Sequence, residues 1–586
     1  MTARFETGNS GTAAPIGADG RHKPLVILGC SPLVFGLVVL LLALIVPPTI
    51  YLIQTSLYTT IFDGSFGAVT TKYYTELISN PRFLTNLINT TIYAVGSASI
   101  AIVIGVAQAW IVERTNTPLR QYMFLIAILS LGIPHVLYTI SWLLILGKSG
   151  PINDLYRFLS GSEGVLVNVY SMWGMILVEG FTWGPLAFLL LSSVFRSADA
   201  SFEEASMMSG ATIAKTFTNI TMKLAMPAIL ALILLIIIRA FESFEVPALV
   251  GMPGGVNVLT TDIFEAIHVS LPANYGQAGA FSVVLLLLVV VMLRYYNKLS
   301  RHAERYQTIT GKGFRPRVMD MGKYKWVTTG LLVLFFVMLI ILPIGIVLLA
   351  SLQPFYERVG IAAFTNMTLD NYRAVFSSSS FTDSVGNTLI LGVATATSTA
   401  ALTGLFAWLA VRRFKGAWLL DQLATLPLVF PAIVMGVAFM QVFLNLPFAF
   451  YGTLLSVILA SMVRYLPYGM RYSYAGVLQI HTELEEASAV SGARQFATFV
   501  RIVMPLIAPA MMVCWLFVFL LSVRAVAMAI LLVGPNSQIV AVTLFDLWEN
   551  GQTAELAAMG FTWMAFMTMI SAVFYLIARR YGLTIR

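Results

Sequence analysis

The sequence is poor in cysteine and in charged residues. It has 2 cysteines among 586 residues, and Asp, Glu, Lys and Arg together make up 11% of it. Cys30 and Cys514 both lie inside apolar runs, and the sequence has no C-x-x-C pair or Cys/His cluster. These features argue against a disulfide framework and against a zinc site. A chain with so little charge also cannot cover the exterior of an ordinary soluble domain.

Apolar residues dominate instead. They make up 58% of the sequence, and the mean hydropathy is +0.84. The net charge of +8 is modest, and the basic residues lie at the ends of apolar runs rather than in one stripe. This pattern is typical of anchoring at a membrane surface and argues against nucleic-acid binding. The sequence therefore predicts a membrane protein whose first partner is the lipid bilayer.

The apolar runs predict an all-α polytopic protein. A spanning helix needs roughly 20 apolar residues at a rise of about 1.5 Å each. By that criterion the sequence contains about twelve spans. They are 26–56, 86–112, 122–146, 165–195, 224–250, 278–297, 327–351, 385–411, 418–446, 452–476, 505–533 and 559–578.

The distribution of Lys and Arg predicts the orientation. The segment 294–325, between the sixth and seventh spans, is strongly basic, and further basic residues follow the eighth and twelfth spans. Because cytoplasmic loops carry the excess of Lys and Arg, this places both termini and the central linker in the cytoplasm. We expect a cytoplasmic tail at 1–24, a first transmembrane half at 25–298, a basic linker at 299–326 and a second transmembrane half at 327–586.

One polar stretch occurs twice. The stretch 203–227 begins Glu-Glu-Ala-Ser-Met-Met-Ser-Gly-Ala, and 485–509 begins Glu-Glu-Ala-Ser-Ala-Val-Ser-Gly-Ala, 282 residues later and without a gap. Each copy precedes a very apolar run, and span parity places both on the cytoplasmic side. Neither copy has the pattern of a catalytic nucleophile or of a set of metal ligands. We interpret both as docking elements that face water.

The duplication extends beyond this stretch. Asn89-Thr90 recurs as Asn387-Thr388, and Ala109-Trp110 recurs as Ala407-Trp408, both 298 residues later. Six spans in each half give the two halves the same topology, related by an axis along the membrane normal. We therefore expect a translocation path between the halves that opens and closes with their relative motion.

The repeated stretch resembles the EAA signature of the membrane subunits of ATP-binding-cassette importers, and the resemblance covers nearly the whole chain from about residue 25. The second copy carries Glu-Ala-Ser-x3-Gly-x9-Ile-x-Met-Pro from Glu486 to Pro505. The first copy follows it from Glu204 but has Lys223 in place of the last proline. Further details are similar to permeases of the iron(III) type, a group that also includes permeases for thiamine and for 2-aminoethylphosphonate. The implied fold is that of a type I importer, and the implied location is the bacterial inner membrane.

In this family the signature implies a short coupling helix that docks on a nucleotide-binding subunit. The partners implied are two copies of an ABC ATPase, which bind ATP and Mg²⁺, and one solute-binding protein, periplasmic or lipid-anchored. The chain itself is expected to hold no cofactor and no metal. The glutamates favour a helix N-terminus and can pair with an arginine of the partner; the small residues allow close approach, and the glycines permit the turn that ends the helix. The residues assigned to coupling are Glu203, Glu204, Ala205, Ser206, Gly210, Glu485, Glu486, Ala487, Ser488 and Gly492.

Ionisable residues inside predicted spans are costly, and usually face a cavity or one another. The candidates for the translocation path or its gate are Arg239, Glu242, Glu245, Arg524, Glu179 and Arg464. Arg239 and Glu242 stand three residues apart and can simply pair. Arg524 has no neighbouring acid in the sequence, and the opposite signs of Glu179 and Arg464 suggest a pair between the halves. Contacts in periplasmic loops would explain that last pair equally well.

Three classes of function remain to be compared. An importer permease is expected to lack an ATP-binding motif, and the sequence has no G-x-x-x-x-G-K-[ST] loop. A secondary transporter would leave the duplicated motif unexplained, and a membrane enzyme would need a convergent catalytic set that the sequence does not show. We therefore expect a permease and not an enzyme. Resemblance favours ferric iron as the substrate; 2-aminoethylphosphonate, thiamine and a polyamine remain alternatives.

Overall fold

The computed structural model describes residues 31–60, 66–199, 201–304, 318–358 and 361–580. The predicted N-terminal tail 1–24 and much of the basic linker lie outside these residues. The helices of the first half are α1 (Pro32–Leu57), α2 (Lys72–Ser79), α3 (Pro81–Arg114), α4 (Met123–Gly132), α5 (His135–Leu146), α6 (Pro151–Ser160), α7 (Met172–Ser197), α8 (Ser201–Met208), α9 (Ile213–Thr216), α10 (Met222–Glu242), α11 (Leu259–His268) and α12 (Tyr275–Glu304).

Among the described residues, the second half follows a similar helix order but has no counterpart of α6. Its helices are α13 (Lys325–Phe336), α14 (Leu342–Ser351), α15 (Ile361–Thr365), α16 (Asp370–Ser377), α17 (Ser379–Val411), α18 (Trp418–Thr425), α19 (Ala432–Asn445), α20 (Leu454–Leu478), α21 (Glu483–Val490), α22 (Gln495–Thr498), α23 (Met504–Ser522), α24 (Val540–Glu549) and α25 (Thr553–Arg580). One short antiparallel pair, β1 (Tyr58–Thr60) and β2 (Phe66–Val69), follows α1. The structure is otherwise helical over the described ranges, as expected.

A criterion of length and apolarity identifies most of the expected twelve spans. Within the described residues, 9 helices are long and apolar enough to cross a membrane, or up to 11 if each of two bent helix pairs counts as one span. The bent pairs are α4–α5 and α18–α19, with angles of 106° and 108°. Each bend lies at a proline, Pro134 or Pro431, and the residue before a proline is driven out of the helical region. The remaining predicted span, α20, has 25 residues but carries Arg464 and Arg471, which lower its hydropathy.

Each half is built around one long central helix. In the first half α3 packs along α7 and α10, and in the second half α17 packs along α20 and α23. Small residues allow this close approach: a Cβ on Gly105 of α3 would lie 2.5 Å from the Cβ of Ala187 on α7. Small side chains at such interfaces are what membrane helices use to bring backbones into van der Waals contact.

The first apolar helical segment of each half, α1 or α13–α14, packs against the other half. Helix α1 contacts α18 and α19 as well as α12, and α14 contacts α5 as well as α25. This exchange is reciprocal, so it follows the pseudo-symmetry of the sequence. It makes each half depend on the other for part of its packing.

Candidate functional site

The repeated motif forms two short helices, α8 and α21, that end in the same way. Gly210 and Gly492 adopt left-handed backbone angles, with φ of +83° and +81°. In the first copy the N–H of Ala211 donates to the carbonyl of Ser206 at 3.1 Å, and in the second the N–H of Ala493 donates to that of Ser488 at 3.1 Å. This is a Schellman cap, which requires glycine at the left-handed position. The turn expected from the glycines is therefore present in both copies.

The first glutamate of the first copy points into the protein. Glu203 is buried, and its carboxylate lies 3.4 Å from the Nε of Arg114 at the end of α3. The hydroxyl of Thr221 donates to the same carboxylate at 2.7 Å. Arg114 is itself buried, and its guanidinium also donates to the carbonyl of Ala198 at 2.9 Å. A buried ion pair thus fixes α8 to the end of the central helix of its half.

The second copy has the equivalent arrangement. The Nε of Arg412 lies 2.7 Å from the carboxylate of Glu485, and the indole N–H of Trp408 donates to that carboxylate at 2.9 Å. Arg412 follows Arg114 by 298 residues, so the two arginines are equivalent positions of the repeat. Sequence reasoning missed them as site residues, although the repeated Ala-Trp pair five residues upstream was the available signal.

These contacts change the role expected for the first glutamates. Glu203 and Glu485 pair with arginines of their own half, and so they are not the carboxylates that a partner would meet. The serines behave in the same way: the hydroxyls of Ser206 and Thr216 lie 2.9 Å apart, and those of Ser488 and Thr498 lie 2.8 Å apart. The serines therefore fasten each motif helix to the helix that follows, in addition to being small.

The opposite face of each motif helix is open. Ala205, Ala487 and Glu486 are exposed, and Glu204 is half-buried. The most exposed apolar side chains of these two helices are Met208 and Val490, each 90% exposed and 282 residues apart. Phe202 and Leu484, another equivalent pair, are about half exposed. Each motif helix is thus anchored on one face, and on the other it presents an exposed apolar side chain and a glutamate.

A second group of predicted residues meets between the halves. In the first half Arg239 donates to the carboxylate of Glu242 at 3.1 Å, so the expected pair is present. Arg239 also donates to the hydroxyl of Tyr468 at 2.8 Å. Tyr468 lies on α20 in the second half, and this bond therefore crosses the interface. Sequence reasoning did not single out Tyr468, because a tyrosine in an apolar run carries no distinctive signal.

The acids and arginines of this group come from opposite halves. Glu245, just after α10, interacts electrostatically with Arg464 and Arg524 of the second half. Glu242 also interacts with Arg464. Arg464 further donates to the carbonyl of Phe430, at the bend between α18 and α19, at 3.0 Å.

Glu179 does not form the suggested pair with Arg464. Its carboxylate accepts the indole N–H of Trp183 at 2.8 Å, one helical turn along α7. The ring of Trp183 in turn packs edge-on against His135, at a centroid distance of 5.5 Å. Glu179 is therefore held within its own half and does not pair with Arg464 across the interface.

Aromatic rings join the halves near the same interface. Phe244 and Phe264 of the first half lie 5.9 Å and 6.2 Å from Phe545 on α24 of the second half. Phe264 and Phe545 are equivalent positions on α11 and α24. The interface thus combines opposed charges with an apolar contact.

The described residues contain no group of three or more His, Cys, Asp or Glu side chains that could hold a metal ion.

Two like helical halves, each with an anchored motif helix and with charges meeting between them, define a two-lobed membrane permease. Residues 101–302 and 400–582 match the family model described as "Binding-protein-dependent transport system inner membrane component". These two matches cover more than half of the chain, one in each half. The chain belongs to this family, and it is an inner-membrane permease of a binding-protein-dependent transport system. This excludes the secondary-transporter alternative.

Several curated proteins are similar to the chain. The ferric transport system permease protein FbpB of Actinobacillus pleuropneumoniae is 26% identical over 509 residues, which cover 86% of this chain and 71% of that protein. The putative ferric transport system permease protein FbpB 1 of Haemophilus influenzae is 27% identical over 521 residues, covering 86% and 78%. The putative 2-aminoethylphosphonate transport system permease protein PhnU of Salmonella choleraesuis is 24% identical over 259 residues, covering 44% and 90%.

Among solved structures, a bacterial ABC transporter that imports alginate aligns with 44% of this chain and 96% of its own, at 17% identity and a TM-score of 0.35. A similarity at that level does not define a fold.

Proposed function

We propose that this chain is the membrane permease of an ATP-driven importer of ferric iron, with α8 and α21 as its two coupling helices. The observation that supports coupling most directly is the paired geometry of these helices. Both are anchored from within by a glutamate–arginine pair, and both present an exposed apolar tip at equivalent positions, Met208 and Val490. A rigid base with an apolar, water-facing tip suits a helix that seats in a groove of another protein.

The proposal includes two ATPase copies, one for each coupling helix, which would bind ATP and Mg²⁺. One solute-binding protein would deliver the substrate from the opposite side of the membrane. Both termini and the central linker are then cytoplasmic, on the side of the ATPase. The near-equivalence of the two helices is what favours two copies of one ATPase over two different subunits.

The experiment that tests docking is co-purification of the permease with its ATPase. Glu204→Arg combined with Glu486→Arg reverses the outward charge on both coupling helices, so we expect the ATPase to be lost. Glu163→Arg, the same reversal at an exposed residue of the α6–α7 loop, serves as the matched control. If the double variant retains as much ATPase as the control, and hydrolyses ATP at the same rate with the binding protein present, α8 and α21 are not the docking helices.

The charged group between the halves is proposed as the gate of the translocation path. Glu242 and Glu245 of one half face Arg464 and Arg524 of the other, and Arg239 reaches Tyr468 across the interface. Opposite charges that meet across a moving interface hold it closed, and part when the halves rock apart. Glu179 borders this group from α7. The gate proposal predicts that these side chains exchange partners during transport.

Ferric iron is favoured by the relatives that cover most of the chain. The two FbpB proteins each align with 86% of it, whereas PhnU aligns with 44%. Because the described residues contain no cluster that could hold a metal, the proposal assigns iron recognition to the solute-binding protein. The second candidate is 2-aminoethylphosphonate, and the observation in its favour is the presence of three arginines at the interface, which suit an anionic substrate.

Uptake measurements separate the two substrates. Cells that carry the permease with its ATPase and binding protein are supplied with radiolabelled ferric iron or with radiolabelled 2-aminoethylphosphonate. We expect ATP-dependent accumulation of iron that an excess of unlabelled phosphonate does not reduce. Accumulation of the phosphonate without iron would assign the anion as substrate and leave the coupling proposal unaffected.

A further inference from the structure

The two central helices α3 and α17 are equivalent but end differently. Helix α17 caps itself: the N–H of Phe414 donates to the carbonyl of Leu409 at 3.1 Å, and that of Arg413 to the carbonyl of Ala410 at 3.1 Å. Arg413 has a φ of +53°, the left-handed conformation that this type of cap requires. The last carbonyls of α17 therefore find partners within the chain that immediately follows.

Helix α3 is closed by a distant segment instead. The chain after α3 continues extended, with Thr115 at φ −121° and ψ 160°. The N–H of Met319 donates to the carbonyl of Arg114 at 2.9 Å, and the N–H of Asn116 donates to the carbonyl of Met319 at 3.1 Å. Met319 and Thr115 are buried and pair as a short parallel bridge. The end of a helix leaves carbonyls without partners, and here the segment before α13 supplies a donor.

Side chains reinforce this contact. The amide of Asn116 donates to the carboxylate of Asp320 at 2.7 Å, and its oxygen accepts the N–H of Met321 at 3.1 Å. The Gly322 N–H and the Asn116 amide together lower the pKa of Asp320 below its usual value, so the carboxylate stays ionised at neutral pH. Further in, the hydroxyls of Thr117 and Thr328 lie 2.7 Å apart. We call residues 318–321 with Asn116 the linker clamp.

Arg114, the last residue of α3, connects the linker clamp to the first coupling helix. Arg114 accepts the Met319 N–H with its main-chain carbonyl, and it holds Glu203 of α8 with its side chain. Both ends of this connection are buried, Arg114 at 1% and Glu203 at 3% exposure. A displacement of the linker would therefore move the anchor of α8, whereas α21 is anchored to a helix that caps itself.

We propose that the linker clamp is a positioning element for the first coupling helix: residues 318–321 close α3 and thereby hold Arg114, and with it α8, in place for the ATPase. The linker would then do more than join the two halves. This inference rests on the proposed coupling function of α8 and α21. It predicts that damage to the clamp affects one of the two docking sites and spares the other.

The test places a reporter at each docking tip. Met208→Cys and Val490→Cys are introduced separately into the full chain, with Cys30→Ala and Cys514→Ala removing the native thiols. The permease is assembled with its ATPase and binding protein in proteoliposomes, and the rate of maleimide labelling is measured at each cysteine. In the otherwise unaltered chain we expect the ATPase to slow labelling at both positions.

Asn116→Ala removes the hydrogen bonds to Asp320 and Met321. Asp320→Ala removes the Asn116–Asp320 bond from its other side. Both replace exposed side chains, so folding is expected to persist. We expect labelling at position 208 to rise by about twofold or more for Asp320→Ala, and further for Asn116→Ala because it loses both hydrogen bonds of the Asn116 side chain, with no change at position 490. Asp320→Asn keeps an acceptor for Asn116 and Gly322, and should label at position 208 as the unaltered chain does.

Two results would overturn the inference, and they differ in what else they affect. Equal protection of position 208 in the unaltered, Asn116→Ala and Asp320→Ala chains, with position 490 also protected, rejects the clamp and leaves the docking proposal standing. If the ATPase protects neither position in the unaltered chain, the docking proposal fails and the inference fails with it. A rise at both positions would show general loosening rather than positioning of α8, and would also reject the inference.

Discussion

Each motif carries two adjacent glutamates, of which one pairs with an arginine of the same half and the other faces solvent. Glu203 and Glu485 are drawn inward by Arg114 and Arg412, whereas Glu204 and Glu486 remain toward solvent. The two inward pairs differ in burial. The side chains of Arg114 and Glu203 are 1% and 4% exposed, and those of Arg412 and Glu485 are 13% and 16% exposed. Removing one partner of a buried ion pair strands the other charge, and the penalty grows with burial.

Glu203→Gln should therefore destabilise the protein more than Glu485→Gln. We expect a loss of about 3–5 kcal/mol in the free energy of unfolding for Glu203→Gln, as for other broken buried pairs. The loss for Glu485→Gln should be smaller, because water partly solvates the stranded Arg412. Chemical denaturation in detergent micelles measures both. Glu204→Gln and Glu486→Gln are the controls, and an equal effect of all four substitutions would contradict the assigned directions of the side chains.

The bond between Arg239 and Tyr468 joins the halves through single side chains. If it helps to hold the path closed, Tyr468→Phe should raise ATP hydrolysis in the absence of the binding protein. A hydrogen bond to a charged group contributes about 1.5–3 kcal/mol, so we expect a rise of about tenfold or more. Tyr472→Phe is the matched control one turn along α20, where the described contact is ring packing on Phe517. An unchanged rate for Tyr468→Phe would remove this bond from the gate.

At the scale of the element, the coupling helices depend on how they end. No atom lies within 4 Å of a Cβ built on Gly210 or Gly492. The cost of a side chain there is therefore one of backbone conformation alone, about 1–2 kcal/mol for a left-handed residue. We expect Gly210→Ala and Gly492→Ala to weaken ATPase binding, measured by titration of the detergent-solubilised permease. Asn tolerates this conformation, so Gly→Asn should be milder; an equally severe effect of Asn would indicate a role other than the cap.

Helix α11 carries a carboxyl group that links stability to pH. Asp262 is largely buried and accepts the Asn86 amide at 2.8 Å and 3.0 Å. Burial raises the pKa of Asp262 from 3.8 to about 7. The folded protein therefore binds this proton more tightly than the unfolded chain does. The resulting stabilisation is complete below about pH 3.8, and it is lost as the pH rises through about 7.

We accordingly expect the thermal stability of the protein to fall between about pH 4 and 7, and Asp262→Asn to flatten this fall. The asparagine keeps an acceptor for Asn86 and carries no proton to lose. Asp370→Asn on α16 is the control, since that carboxyl is exposed and its pKa is lowered rather than raised. Parallel pH profiles for the unaltered chain and Asp262→Asn would exclude Asp262 as the source.

At the scale of the whole molecule, the reciprocal packing of α1 and α14 means that the halves are interlocked without the linker. The hydroxyl of Tyr356, which follows α14, donates to the carbonyl of Leu144 on α5 at 2.8 Å, and the Phe264–Phe545 contact adds to this. Two separate polypeptides, 1–304 and 305–586, should therefore co-purify in detergent. A first polypeptide that starts at residue 58, and so lacks α1, should associate more weakly. Separate elution of the two intact polypeptides would show that the covalent link is needed for assembly.

The sequence by itself determined the properties that follow from composition and periodicity. Low charge and long apolar runs require a helical membrane protein, because only a helix satisfies its own backbone within a lipid bilayer. The repeats at 282 and 298 residues required two like halves, and the spacing of the motif pointed to the family. The glycine at the end of each motif helix was also predictable, since the left-handed turn is a local property of the chain.

Tertiary structure decided the features that depend on residues far apart in the chain. No local pattern shows that Glu203 pairs with Arg114, that Arg239 bonds to Tyr468 of the other half, or that Met319 closes α3. The two sharp bends, α4–α5 and α18–α19, are likewise visible only once the helices are folded. Which of two adjacent glutamates faces inward depends on where the end of a neighbouring helix lies. That position is fixed only when the helices pack.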